Sequence, residues 1–261
     1  MNRIEQAFSV LSEQERKAFI PYIMAGDGGL NGLTERLITL ENFGATLIEV
    51  GVPFSDPVAD GPTIQQAGIR ALQNGTTLRG IIHELTKARE KVSVPIVLMT
   101  YLNPIYSYGI SRFAQDIANA GVDGCIIPDL PIEEEDLLAA ELQDVGIELI
   151  RLVTLTSPIE RIKEISKRGK GFLYTVTVKG ITGTRNEFDQ EVVEFLKNVK
   201  EVSPVPVVAG FGISTENQIK ELTTHCDGVI VGSKIVDLFN KNDLNGLESI
   251  MSVLKPEKNV R

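Results

Sequence analysis

Eight short apolar runs recur along this chain, each followed by a turn and then a segment of helical period. They are Phe19 to Ala25, Thr46 to Gly51, Pro95 to Thr100, Gly124 to Pro128, Ile147 to Leu152, Gly171 to Val176, Val205 to Ala209 and Gly228 to Val231. Each is rich in Ile, Val or Leu and almost continuously apolar, as parallel strands covered on both faces are. Between them, Leu33, Leu37 and Leu40 lead to Gly44, Phe113, Ile117 and Ala120 to Gly121, and Leu137, Leu138 and Leu142 to Gly146. These segments carry one apolar helical face and a glycine where the helix should end. Gln190 to Lys200 repeats the pattern, with Val192, Val193 and Leu196 on one side. Alternation of strand and helix with no break in composition leaves a closed eightfold barrel or an open doubly wound sheet. An open nucleotide-binding sheet wants its glycine fingerprint after the first strand, whereas here the glycine-rich turns lie late. The expected fold is one (β/α)8 TIM barrel over residues 1–261. An additional N-terminal helix should carry Ile4, Ala7, Phe8 and Leu11 on one face.

The length of 261 residues suits one such barrel. With 43% apolar and 23% charged residues the chain can bury a sizeable core. Its 26 basic residues against 35 acidic ones give a net charge of −9 and no basic stretch, which argues against nucleic acid and anionic membrane surfaces. A small anion held by local dipoles remains compatible with that charge. The opening MNRIEQAFSV lacks the apolar core of a secretory signal, and no apolar run approaches the length that spans a bilayer, so the expected location is the cytoplasm. Cys125 and Cys226, with His83 and His225, have no metal-ligand spacing, and Cys125 in GCIIP reads as a small core residue. No metal is expected.

In a barrel of this kind the chemistry lies at the C-terminal ends of the strands and in the loops after them. The second run opens a long loop, IEVGVPFSDPVADGPTIQ, which holds two carboxylates of different character. Glu49 lies within the strand between Ile48 and Val50, where burial should raise its pKa; Asp60 lies in a polar loop and should stay ionised. That asymmetry suits an acid/base pair. The plain alternatives are a strand-end carboxylate paired to a cation for Glu49, and a turn or helix-capping residue before Gly61-Pro62 for Asp60.

Glycines cluster after the last three runs, in KGITGT, AGFGIS and VGSKIV. Glycine lets a backbone approach an anion, and the helix after each turn should aim free N–H groups at it, so the cluster describes a phosphate cradle. Ordinary turn glycines are the alternative. Tyr22, Tyr101 and Tyr174 stand near strand ends and could orient a ligand or fill the barrel. Lys179 to Phe188 has the composition of a lid, or of a surface loop. IEEEDLL, from Ile132, reads as the acidic first turn of a helix.

Taken in order, IEVGVPFSDPVADGPTIQ, LMTYLNPIY, CIIPDLP, KGITGTR, GFGIS and VGSKIV resemble the motifs of the tryptophan synthase alpha subunit family over essentially the whole chain. That resemblance implies cleavage of indole-3-glycerol phosphate to indole and glyceraldehyde 3-phosphate, with Glu49 and Asp60 as the catalytic pair. It implies that Tyr22, Met99, Tyr101, Tyr174, Thr182 and Phe211 surround the substrate and that Gly183, Gly212, Gly232 and Ser233 hold its phosphate. It places Pro53, Asp56, Pro57 and Asn103 beside a partner beta subunit, a pyridoxal-phosphate enzyme that consumes the indole in a tetramer of two alpha and two beta chains. No cofactor is implied for this chain itself. Tyr22 stands where the family usually has Phe, Gly28-Gly29 where Pro is common, and Met99 where Leu is usual. Other readings of the same residues are a stand-alone lyase releasing free indole, a Schiff-base aldolase using Lys179 or Lys234, and a non-catalytic phosphate-binding allosteric module.

Overall fold

The computed structural model describes residues 2–177 and 190–256. All eight apolar runs supply strands: β1 (Ala18–Met24), β2 (Ile48–Gly51), β3 (Ile96–Met99), β4 (Gly124–Ile126), β5 (Glu148–Thr154), β6 (Leu173–Val176), β7 (Val207–Gly210) and β8 (Gly228–Val231). They pair in parallel in sequence order, and β8 returns to β1 through Ala18↔Gly228 and Phe19↔Val229, closing the barrel. A strict two-residue period lies hidden under the apolar runs. Ala18, Ile20, Tyr22 and Met24 of β1, Val97 and Met99 of β3, and Val208 of β7 belong to the inner core. Their neighbours Phe19, Ile23, Ile96, Leu98, Val207 and Ala209 belong to the outer core against the helices. Opposite faces of each strand thus meet two apolar environments, which explains why the sequence shows no alternation.

The helices Leu33–Asn42 and Ile110–Asn119 bury Leu33, Leu37, Leu40, Phe113 and Ile117, and the glycines after them take positive φ, +93° at Gly44 and +75° at Gly121. Helix Gln190–Val202 buries Val192 and Leu196, whereas Val193 is only half-buried and Phe195 and Val199 take its place in the core. The segment IEEEDLL departs from the expected helical first turn. Glu135–Leu137 is a 3₁₀ turn, the helix begins at Ala139, Leu137 is exposed, and Glu135 is buried against Arg151 and Arg168 at 2.8 Å each. Two guanidinium groups attract this carboxylate more strongly than a helix dipole could and draw it inward.

The N-terminal helix, Arg3–Glu13, starts at a capping box formed by Asn2 and Glu5. Its Ile4, Phe8 and Leu11 join the inner core, with Ala7 half-buried beside them. The Phe8 ring lies 5.8 Å from that of Phe172, and Asn2 and Arg3 bond to Asp123 at the start of β4. The helix therefore stoppers the N-terminal end of the barrel and leaves the mouth at the opposite end, where the strands finish. Among the described residues no helix is long and apolar enough to cross a membrane, and no group of three or more His, Cys, Asp or Glu could hold a metal ion.

Candidate active site

Glu49 stands in β2 two residues after Leu47, an inner-core residue, so strand parity turns its carboxyl group into the barrel. Its register partners are Tyr22 on β1 and Val97 on β3. It is 1% exposed, forms no ion pair among the described residues, and leaves Oε2 without a hydrogen-bond partner. Burial, followed by the nearby charge of Asp60, pushes its pKa up to about 8. The cation-paired alternative is thereby excluded for the described chain. A buried, unsatisfied carboxyl oxygen is costly unless protonated or offered to a ligand.

Asp60, expected in a polar loop, is buried too. Burial raises its pKa to about 6, while a hydrogen bond from the Tyr101 hydroxyl works the other way. The same hydroxyl accepts the Ala59 N–H at 2.9 Å, and the Phe54 and Tyr101 rings pack with centroids 5.1 Å apart. These contacts fold the loop down over the mouth, which is why its carboxylate leaves water. Asp60 does not cap the next helix: Gly61 is the N-cap of Pro62–Gln73 and no side chain caps it. At neutral pH the pair still divides, with Glu49 mainly protonated and Asp60 mainly ionised.

Tyr22 and Tyr174 are buried around this pair, and burial together with both carboxylates raises each phenol well above its ordinary pKa. Both phenols remain neutral. Close backbone makes room for them: a Cβ on Gly51 would lie 1.9 Å from the Tyr22 hydroxyl, and one on Gly210 would lie 2.3 Å from the Tyr174 ring. Met99 lines the inner core, and the Phe211 ring lies 5.7 Å from that of Tyr174. The structure thus brings Tyr22, Met99, Tyr101, Tyr174 and Phe211 together with Glu49 and Asp60.

Beyond β7 the chain makes a left-handed turn, with φ of +71° at Phe211 and +74° at Gly212. After β8, Gly232 is the N-cap of helix Ser233–Asn240, which has no side-chain cap, so the backbone N–H groups of its first turn remain open to a ligand. The helix after β7, Glu216–Thr223, differs from expectation. Its N-cap Thr215 accepts from Gln218 N–H, and the Gln218 side chain accepts from the N–H groups of Ser214 and Thr215. That capping box occupies the N–H groups of Ser214, Thr215 and Gln218 with side chains of the helix itself. The cradle consequently reduces to the Gly212 turn and the Gly232-Ser233 helix start.

Thr182, Gly183, Lys179 and the expected lid lie outside the described residues. Lys234 is half-buried on helix Ser233–Asn240. Asp56 and Asn103 are exposed and Pro57 is half-buried, but Pro53 is buried. Sequence reading missed three supports of the site. Phe54 stacks on Tyr101; Ile64 approaches Gly232, where a Cβ would lie 3.7 Å from its Cδ1; and Asp27 after β1 accepts both nitrogens of Arg70, at 2.7 and 2.8 Å. The last pair ties β1 to the helix that follows Asp60. No spacing rule flags such contacts, because their partners are brought together only by barrel closure.

Known proteins share this fold and much of its sequence. The chain is 54% identical over 238 residues to the tryptophan synthase alpha chain of Bacillus cereus (strain ZK / E33L), with 91% of each chain covered. It superposes on a tryptophan synthase structure from Mycobacterium tuberculosis with a TM-score of 0.89 at 34% identity, covering 97% of this chain and 96% of that one. The tryptophan synthase alpha chain from Legionella pneumophila gives 0.87 at 32% identity with the same coverage. The family model for the tryptophan synthase alpha chain matches residues 8–259, a span that holds the two carboxylates, the tyrosines around them and the glycine turns after β7 and β8. A barrel mouth built in this way, on a sequence that follows the family from near one end to near the other, belongs to the tryptophan synthase alpha chain family.

Proposed function

We propose that the C-terminal mouth of the barrel cleaves indole-3-glycerol phosphate, the reaction of this lyase family, with Glu49 and Asp60 as its acid/base pair. The observation that carries this assignment is the buried Glu49 carboxyl group, unpartnered at Oε2 and set beside a second, more acidic carboxylate. Breaking the carbon–carbon bond makes indole a leaving group, so ring carbon 3 must gain a proton. Protonated Glu49 supplies it. Ionised Asp60 accepts the ring N–H hydrogen bond and offsets the positive charge that develops on the protonated indole. The Glu49 carboxylate then removes the proton of the side-chain hydroxyl. As that oxygen becomes a carbonyl, the carbon–carbon bond breaks and its electron pair returns to the ring. Indole and glyceraldehyde 3-phosphate result, and Glu49 is protonated again. Tyr22, Met99, Tyr101, Tyr174 and Phe211 enclose the indole, with Thr182 adding a contact, while Gly183, Gly212, Gly232 and Ser233 hold the phosphate.

The chain works in the cytoplasm without a cofactor of its own, as the alpha member of a tetramer of two alpha and two beta chains. Pyridoxal phosphate belongs to the beta subunit, which consumes the indole. Because Pro53 is buried, contact with that partner runs through Asp56, Pro57 and Asn103, beside the exposed side chains of Val58 and Tyr106. Replacement Glu49→Gln tests the assignment. Indole release should fall by roughly 100- to 10,000-fold, while calorimetric binding of glycerol 3-phosphate persists. Loss of both together would make Glu49 a structural residue.

A further inference from the structure

Thr177 stands one residue beyond the end of β6 and is 3% exposed. Its hydroxyl donates toward the carbonyls of both Gly210, at 2.8 Å, and Phe211, at 2.9 Å, and its N–H donates to Gly210 at 3.1 Å. The neighbouring Thr175 hydroxyl also donates to a carbonyl, that of Val208, but its acceptor lies within β7. Thr177 instead spans the last residue of β7, Gly210, and the first residue of the turn after it, Phe211. Phe211 is the unusual member of that turn, since a left-handed backbone is unfavourable for a bulky side chain and persists only where its surroundings enforce it. The Tyr174 ring braces Phe211 from the side-chain direction, and Thr177 holds its carbonyl from the backbone direction.

We propose that Thr177 is a positioning residue for the phosphate turn: its hydroxyl, shared between the Gly210 and Phe211 carbonyls, holds the left-handed Phe211–Gly212 backbone in the shape that binds the substrate phosphate. This rests on the reading of Gly212 as a phosphate contact. Val has nearly the shape of Thr and lacks only the donor, so Thr177→Val removes the hydrogen bond and little else. A turn freed from this bond spends part of its time in other conformations, and the ligand must bear the cost of restoring it.

The test is steady-state cleavage of indole-3-glycerol phosphate by the full chain, with inorganic phosphate as competing probe and thermal melting alongside. In Thr177→Val the KM and the inhibition constant for inorganic phosphate should both rise about tenfold, while kcat changes much less. Thr177→Ser, which keeps the donor, should restore both. A purely packing role predicts the reverse, with Val tolerated and Ser impaired. Unchanged KM and phosphate inhibition in Thr177→Val overturn the proposal if Gly212→Ala raises both. If Gly212→Ala also leaves phosphate inhibition unchanged, the phosphate reading of the turn falls and takes this proposal with it. Should Thr177→Val fail to fold, Thr177→Cys, with its weaker donor, should give an intermediate KM, and a wild-type value there would overturn the proposal.

Discussion

In the proposed mechanism position 49 sets the chemistry, because a carboxyl group desolvated among apolar neighbours keeps its proton near neutral pH, whereas Asp60, steadied by the Tyr101 hydroxyl, gives its proton up sooner. The pH profile of kcat/KM follows. The proposed mechanism needs Glu49 protonated and Asp60 ionised, so activity should rise through about 6 and fall through about 8. The basic limb decides, because the second ionisation of the substrate phosphate, near pH ~6, lies under the acidic one. A profile flat from pH 7 to 9 would remove Glu49 as the acid. Glu49 was legible in the sequence, since a charge inside an apolar strand must be either paired or functional. The burial of Asp60 was not, because it depends on Tyr101 and Phe54, some forty residues along the chain from the loop's end in one case and within the loop in the other.

Among elements, the two late turns do different work although both follow strands and precede helices. Both read as anion-binding helix starts, yet Thr215 and Gln218 close one of them with their own side chains. The distinction lay in the sequence as a Thr-x-x-Gln capping box, a local signal masked by the more conspicuous glycines before it. The N-terminal helix is separable from the chemistry. Phe8 plugs the end of the barrel opposite the carboxylates, so Phe8→Ala should destabilise the chain by about 3 kcal/mol, as large-to-small core changes to Ala do. Denaturant melts should show that loss while kcat of the folded fraction stays near wild type. A large fall in kcat at unchanged stability would mean that the stopper also shapes the mouth.

At the scale of the whole molecule, the site is carried at a cost in stability. The folded-state pKa values of Glu49 and Asp60 both lie above their ordinary values, so between about pH 4 and pH 8 the native state binds more protons than the unfolded chain. Their contribution is fully present below the ordinary carboxyl pKa and is lost as pH rises through about 6 and 8. Glu49→Gln removes the larger part: the variant should be more stable than wild type by a few kcal/mol at pH 9, with the difference vanishing toward pH 4. Urea melts across that range measure it, and a constant difference would show that Glu49 is not desolvated. The same division runs through the rest of the protein. The sequence by itself determined the eight strands, the helices between them and the family, because periodicity, helix-ending glycines and ordered motifs are properties of neighbouring residues. Only the tertiary structure decided which face of each strand looks inward, that Asp60 leaves water and that Glu135 turns in to two arginines. Each of those outcomes depends on side chains from separate strands meeting when the barrel closes, and burial and electrostatic coupling do not exist until they meet.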